Sequence, residues 1–416
     1  MARVALLGTC DTKLDELLFL RNAIREANVE VMLIDVGRSA TEHESITVSQ
    51  ADLLRRYGNG KSVTEQERGD VVKIMAECAT RAVKSLYDEN FIQGVIAAGG
   101  SGGTSIAATV MREALPIGFP KLIVSTIASG DVGPIVGETD ITLMYSVVDV
   151  AGLNEVLRCV LRNAGRAIAG MALGFATRSR QANTSTKKRV GITMFGVTTP
   201  AVDEVRRHLE SKYDIEVFVF HATGHGGKAM ERLILEERID AVLDLTTTEI
   251  CDHLTGGVMS AGSSRLEAAA AAGIPNIISV GATDMTNFGP LETVPERYKD
   301  RRLYEHNPTV TLMRTSKEEA CQVGHFIVTK LKDHSKNSSA VEIWLPKGGI
   351  SMIATPEGPF VDKDADAALF RIIKEGLADS GFKVVEDDRA INDTGFARDI
   401  AEALVAKLKP SPRTGG

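Results

Sequence analysis

The chain has 416 residues, 44% of them hydrophobic and 25% charged, and a formal net charge of −7. That length suits two domains, each able to bury a core, and the acidic balance excludes the basic stripe that a nucleic-acid-binding surface requires. No apolar run approaches a membrane span and Met1 leads straight into a strand pattern, so neither membrane attachment nor a signal peptide is expected.

Cys10, Cys78, Cys159, Cys251 and Cys321 lie far apart in sequence. This is the usage of a reduced, cytoplasmic protein and not of a disulfide framework.

Residues 4–7 form a short apolar run that ends in Gly8-Thr9-Cys10-Asp11-Thr12-Lys13. Leu14, Leu17, Leu18, Ile24 and Ala27 follow at helical spacing, and residues 29–35 read as a second buried strand. Strand, helix and strand predict a right-handed unit of a parallel sheet. Asp35 ends the second strand, where dinucleotide folds place an acid on ribose hydroxyls, although Gly-x-Gly-x-x-Gly is absent.

Residues 38–90 are more polar and hold a helix pattern over 66–84. Within them Gly58-Asn59-Gly60-Lys61-Ser62 imitates a P-loop, but Arg55 stands where the first glycine belongs and no strand precedes it. It reads as a surface loop.

The apolar run 94–98 then leads into Gly99-Gly100-Ser101-Gly102-Gly103-Thr104, and Ile106, Val110, Met111 and Ala114 open a helix. Strand, glycine turn and helix start leave backbone N–H groups and a helix dipole free to hold an anion. Glycine serves such a turn by permitting φ > 0 and close approach of a ligand. A tight turn with no ligand is the plain alternative.

A strand over 121–126 precedes Ser129-Gly130-Asp131-Val132-Gly133-Pro134. Asp131 there could hold a metal-bound phosphate, act as a base, or make an Asx turn. After a helix over 154–169, the polar stretch 178–188 reads as a linker. Domains of residues 1–180 and 187–410 follow, with 411–416 as a flexible tail.

The second half restates the first: 189–196 answers 3–8, 217–220 answers 29–34, 241–245 answers 95–98, and 276–280 answers 122–126. The first half carries an insertion across 38–90. The fold class is therefore α/β, two doubly wound Rossmann-like parallel-sheet domains of similar topology facing across a cleft.

Thr199 with Pro200 reads as a helix start, and Ser264 with Glu267 as a capping box on a helix that Gly273 closes. The tail of the domain has strands over 340–345 and 383–386 and helices over 364–377 and 397–408.

Ligands of doubly wound sheets bind beyond the carboxyl ends of strands, so those loops carry the candidate chemistry. Thr9, Thr12 and Lys13 offer hydroxyls and a cation suited to phosphate, or a helix cap and a solvated lysine. His221-Ala222-Thr223-Gly224-His225-Gly226-Gly227-Lys228 suggests an anion or a reacting carbonyl, with His225 as acid–base or as a loop histidine satisfied by backbone. Glu249 sits nearby in sequence. A zinc site from His221, His225, Cys251 and His253 matches no closed structural spacing, so no metal site is assigned.

Taken together, residues 8–13, 98–105, 129–132, 221–227 and Gly358-Pro359-Phe360 resemble the tomato mosaic virus resistance protein-like ATP-binding domain family. The resemblance runs in order over almost the whole chain. It implies two Rossmann-like domains, ATP binding and a homodimer, but leaves the reaction open. The expected nucleotide site comprises Gly8, Thr9, Asp11, Thr12, Lys13, Asp35, Gly99, Gly100, Ser101, Gly102, Gly103, Thr104, Ser129, Gly130 and Asp131.

The cofactor expected there is ATP, with magnesium as a counter-ion it could carry. Two other readings stand beside it. One is an enzyme using His225, Asp131 and Glu249 on a small carbonyl, carboxylate or phosphorylated metabolite. The other is an ATP-sensing regulatory protein that acts through a protein partner.

Overall fold

The structure, a computed structural model, describes residues 1–63, 66–178 and 186–413. The chain divides into two compact units, Met1–Thr184 and Ser185–Gly416. Most of the expected linker, residues 179–185, lies outside the described residues.

Unit 1 runs β1 (Arg3–Gly8), α1 (Cys10–Arg25), β2 (Glu30–Asp35), β3 (Ile46–Val48), α2 (Gln50–Tyr57) and α3 (Arg68–Asp88). It continues with β4 (Gly94–Gly99), α4 (Ser101–Ala114), β5 (Lys121–Ser125), α5 (Gly133–Val136), β6 (Thr142–Tyr145) and α6 (Glu155–Arg178). Its six strands pair in parallel in the order β3-β2-β1-β4-β5-β6. The central strand β4 is apolar and buried throughout because helices cover both faces, which removes any need for alternation. Leu17, Leu20 and Ile24 of α1 pack with Leu157, Leu161 and Ile168 of α6 on one face. Met75, Ala79 and Val83 of α3 pack with Ile106, Val110 and Met111 of α4 on the other.

Unit 2 runs β7 (Lys188–Met194), α7 (Thr199–Lys212), β8 (Ile215–His221), α8 (His225–Leu235), β9 (Ala241–Thr246), α9 (Glu249–Thr255), α10 (Glu267–Ala272) and β10 (Asn276–Gly281). Then come β11 (Met285–Phe288), β12 (Leu303–Asn307), β13 (Val310–Arg314), α11 (Lys317–His334), β14 (Val341–Pro346), α12 (Lys363–Leu377), β15 (Lys383–Asp387) and α13 (Thr394–Leu408). A six-stranded parallel sheet has the order β15-β14-β10-β9-β7-β8, and β11-β13-β12 form a small antiparallel sheet.

The two parallel sheets share a four-strand core, since β2-β1-β4-β5 and β8-β7-β9-β10 occupy corresponding places. The insertion read across 38–90 is β3, α2 and α3. The antiparallel sheet of unit 2 carried no sequence signal because its buried positions include Thr286, Asn287 and Thr311. Those side chains mimic a loop in composition.

Three local expectations are corrected. Thr198, not Thr199, precedes α7, which puts Pro200 in the first turn. Ser264 makes no side-chain cap; Leu266 precedes α10 in a left-handed conformation, and Glu267 pairs instead with Lys330. Gly273 does close that helix at φ 69°. The tail is not loose over its first part: Asp214 N donates to Ser411 O at 2.9 Å and Arg413 N to Lys212 O at 2.9 Å. Residues 414–416 lie outside the described residues.

Asp284, fully buried beside the antiparallel sheet, accepts Ser351 Oγ at 2.8 Å. Burial pushes its carboxyl up to about 7, only partly offset by the Arg314 guanidinium and the Ser351 hydroxyl. The native protein thus retains a proton that the unfolded chain releases above about pH 4. Stability should therefore fall as pH rises from about 4 to about 7, by about 1.4 kcal/mol per pH unit for this group. Asp284→Asn should flatten that slope in urea denaturation between pH 4.5 and 8, gaining on the natural protein as pH rises. An unchanged slope would mean that Asp284 is ionised in the native state.

Candidate functional site

A parallel sheet whose order reverses between two adjacent strands sends their following helices to opposite faces and leaves a crevice at the carboxyl ends. In unit 1 that point lies between β1 and β4. A cavity of about 570 Å³ opens there, within the range of small-molecule sites. Its lining comes from the start of α1 (Thr9, Asp11, Thr12, Lys13) and the start of α4 (Gly100, Ser101, Gly102, Gly103). Val36 and Arg38 follow β2, Arg68, Val71 and Val72 come from α3, and Ile106, Thr126 and Asp149 complete it.

The first ladder bond of α4 is Thr104 N to Gly100 O at 2.9 Å, so the N–H groups of Ser101, Gly102 and Gly103 precede the ladder. Neither Thr9 before α1 nor Gly100 before α4 makes a side-chain cap, although Asp35 Oδ1 takes the first N–H of α1, that of Cys10. Among the described residues, three cations (Lys13, Arg38 and Arg68) stand against two carboxylates (Asp11 and Asp149) in the lining. The cavity is thus suited to an anion by charge and by dipole.

None of the four glycines at 99, 100, 102 and 103 adopts a positive φ, contrary to the expectation for this turn. An added Cβ would lie 3.6 Å from Gly103 Cα at Gly99, 3.7 Å from Thr126 Oγ1 at Gly100 and 3.8 Å from Val72 Cγ2 at Gly102. At Gly103 it would meet no atom within 4 Å. The fold itself has room for a Cβ at all four positions.

The wall of the cavity is fixed by acids. Asp11 Oδ2 accepts Arg38 N and Ser39 N, each at 3.0 Å. Asp35 Oδ1 accepts Cys10 N at 3.0 Å and Gly37 N at 2.9 Å. Burial pushes the Asp35 carboxyl above the usual range, against the pull of those N–H donors. A Cβ on Gly37 would lie 2.6 Å from Asp11 Oδ1 and 3.0 Å from Asp35 Oδ1, so glycine is what lets the two carboxylates approach.

Eight of the expected nucleotide-site residues line the cavity and seven do not. Asp35 is fully buried beneath it, holding main chain instead of facing a ligand. Gly8 is backed by Leu17, Gly99 is still strand, and Thr104 is spent on Ser125 Oγ at 2.7 Å. Ser129, Gly130 and Asp131 are exposed outside the lining, and Asp131 Oδ1 accepts Gly133 N at 3.0 Å, the Asx turn. Arg38, Arg68, Val71 and Val72 were missed because they belong to the insertion, whose return to the glycine run no local pattern signals. Asp149 lies in a loop with no motif at all.

The glycine loop of unit 2 has a different fate. Glu249 Oε1 accepts Gly224 N at 2.7 Å and Gly227 N at 3.0 Å, and its Oε2 accepts Arg265 Nε at 2.9 Å. The anion in that cradle is therefore the protein's own, and both carboxylate oxygens of Glu249 are engaged by it and by Arg265. A Cβ at Gly227 would run into Glu249, and one at Gly226 into the His221 carbonyl.

Arg265, fully buried, also forms a two-pronged pair with Asp244 at 2.6 Å on each prong and reaches Glu231 at 3.4 Å. Burial opposes its charge, yet Asp244, Glu249 and Glu231 hold it protonated well above its ordinary range. His225 is exposed at the first position of α8. Cys251 is buried with its thiol on Thr283 O at 3.3 Å, and His253 packs against Phe326. Among the described residues no three His, Cys, Asp or Glu side chains are grouped to hold a metal ion, and no helix is long and apolar enough to cross a membrane.

Models of the uncharacterised protein family UPF0261 match residues 2–177 as its N-terminal domain and 187–408 as its C-terminal domain. A UPF0261 protein of Clostridium tetani is 43% identical over 409 residues, 98% of this chain and 99% of that protein. The ToMV resistance protein Tm-1(GCR237) of Solanum lycopersicum is 40% identical over 430 residues, which are 99% of this chain but 56% of the tomato protein. Among solved structures, a putative UDP-N-acetylglucosamine 2-epimerase from Listeria monocytogenes aligns over 66% of this chain and 78% of its own. Its identity is 11% and its TM-score 0.21, too low to argue from.

Removing the internal anion of unit 2 tests its role. Glu249→Ala leaves two buried N–H groups unpaired and deprives Arg265 of a partner, which should cost about 3–5 kcal/mol. Chemical denaturation followed at Trp344, in the core of unit 2, reads that loss. A variant as stable as the natural protein would show the network to be dispensable.

Proposed function

We propose that this chain, which belongs to the UPF0261 family, binds ATP in the unit 1 cavity. The phosphates lie over the amino ends of α1 and α4, where the N–H groups of Ser101, Gly102 and Gly103 and the cations of Lys13, Arg38 and Arg68 supply their partners. The adenine lies against Val36, Val71, Val72 and Ile106.

One observation carries the reading. Glycines in the first turn of α4 cost about 0.5–1 kcal/mol each relative to alanine, and neither positive φ nor a clash demands them. Room for a ligand against the backbone is the remaining reason to keep them, and the neighbouring charges make that ligand an anion. Naming ATP among such anions draws on the loop resemblance.

The same reading makes the protein a homodimer of the cytoplasm. All five cysteines are free, which suits a reducing compartment, and light scattering with and without ATP tests the dimer.

Calorimetry of the pure protein with ATP should show saturable binding. Gly102→Ala and Gly103→Ala should each weaken it tenfold or more while leaving the melting temperature equal or higher, since alanine is the better helix former. No heat of binding with ATP, in magnesium or in EDTA, would overturn the reading. Undiminished affinity in both alanine variants would remove the glycine run from the site.

A further inference from the structure

We propose that Asp149 holds a divalent cation of the magnesium class that enters the cavity with the phosphates of the bound ligand. The inference rests on the nucleotide reading above and assigns to the loop after β6 a role that the reading leaves open.

Among the described residues two carboxylates line the cavity, and they are not equivalent. Asp11 is committed to the wall: one oxygen accepts Arg38 N and Ser39 N, and the other is buried beside Gly37. Asp149 is exposed to the cavity and makes no hydrogen bond or ion pair among the described residues. Thr9, Thr12 and Thr126 line the same space and bring hydroxyls.

The loop that presents Asp149 is tied down on both sides. Ser146 N donates to Ser125 O at 3.1 Å, Lys13 Nζ donates to Val150 O, and Gly152 N donates to Glu16 Oε1 at 2.5 Å. Between these ties Val147 has φ 66°, and Val148 N donates to Ser146 O at 2.8 Å across it. That is a γ-turn of the rare positive-φ hand, centred on a β-branched residue for which such a φ is a true outlier. Conformations of this kind persist where their surroundings over-determine them. Here the surroundings fix an acid at the edge of an otherwise anion-binding cavity.

An isolated carboxylate beside a polyphosphate repels it unless a cation lies between them. Magnesium is commonly held by one or two carboxylates together with substrate phosphates and retained waters, and not by an all-protein cage. One aspartate cannot hold the ion alone, so the cation should bind only when the phosphates are present. The threonine hydroxyls can accept hydrogen bonds from its remaining waters.

Calorimetry of the full chain and of Asp149→Asn with ATP, each in magnesium and in EDTA, tests this. The natural protein should bind ATP at least tenfold more tightly with magnesium and should show no magnesium binding without nucleotide. Asp149→Asn should lose that gain, while its affinity in EDTA stays equal or rises because the repulsion is gone. The exposed side chain makes an unchanged melting temperature the expected control. An Asn variant that keeps the full magnesium gain, or natural protein that binds ATP equally in EDTA, overturns the role of Asp149 and leaves the nucleotide reading standing. Natural protein that binds no ATP under either condition overturns both.

Discussion

The amino ends of α1 and α4 leave adjacent parallel strands toward opposite faces, and the peptide N–H groups they expose cannot be satisfied by the sheet. This constraint belongs to the topology, not to any one residue. Something must occupy the crevice beyond β1 and β4: water, a side chain or a ligand. In unit 1 the chain leaves it open, lines it with Lys13, Arg38 and Arg68, and keeps bulk away from the backbone. The insertion between β2 and β4 then adds a wall through Arg68, Val71 and Val72 of α3.

Unit 2 meets the same constraint on the same four-strand core and answers it with its own atoms. Thr198 Oγ1 and Thr246 Oγ1, from the ends of the equivalent strands β7 and β9, meet at 2.8 Å. Val197 packs there with Ala282, Met285, Leu312 and Phe360. Met352 N donates to Val197 O at 3.0 Å and Ala282 N to Ile350 O at 2.8 Å, so the segment after β14 is stitched over the strand ends. One helix further along, Glu249 fills the cradle formed by Gly224 and Gly227. An arginine and two carboxylates are thereby buried together, with the half-buried Glu231 at their edge. Such a network adds little net stability, but loss of one member leaves an uncompensated charge. Two glycine loops of similar composition thus differ in what faces them.

That difference also marks what the sequence could reveal. Strands in parallel sheets are short apolar runs and helices repeat at 3.6 residues, so the buried strands at 94–98 and 241–245 and the shared plan of the two halves were legible. The starts of α1 and α4 were legible too, because strand, glycine and helix start follow one another directly. Asp35 was misplaced for a physical reason. An acid ending the second strand can turn outward to a ribose or inward to Cys10 N and Gly37 N, and only the approach of Asp11 through Gly37 decides between them. Arg265 was hidden between Ser264 and Glu267, whose spacing spells a capping box. Asp149 and Arg68 reach the cavity over sequence separations that no local pattern encodes.

Local rules are broken around both crevices, by Val147 at φ 66° in unit 1 and by Leu266 at φ 75° and Ala282 at φ 57° in unit 2, but the glycines of the two differ. Around the unit 1 cavity stand glycines in a helix start that the fold does not need and a valine held in a strained turn. At about 0.5–1 kcal/mol for each glycine and about 1–3 kcal/mol for the turn, these features together cost a few kcal/mol. That is a sizeable share of the roughly 5–15 kcal/mol by which a domain is stable. At the unit 2 loop Gly226 and Gly227 are instead required by the His221 carbonyl and Glu249, so packing within the chain accounts for them. Departures from local rules are therefore not confined to one unit, and what distinguishes unit 1 is that its glycines answer to no contact within the chain.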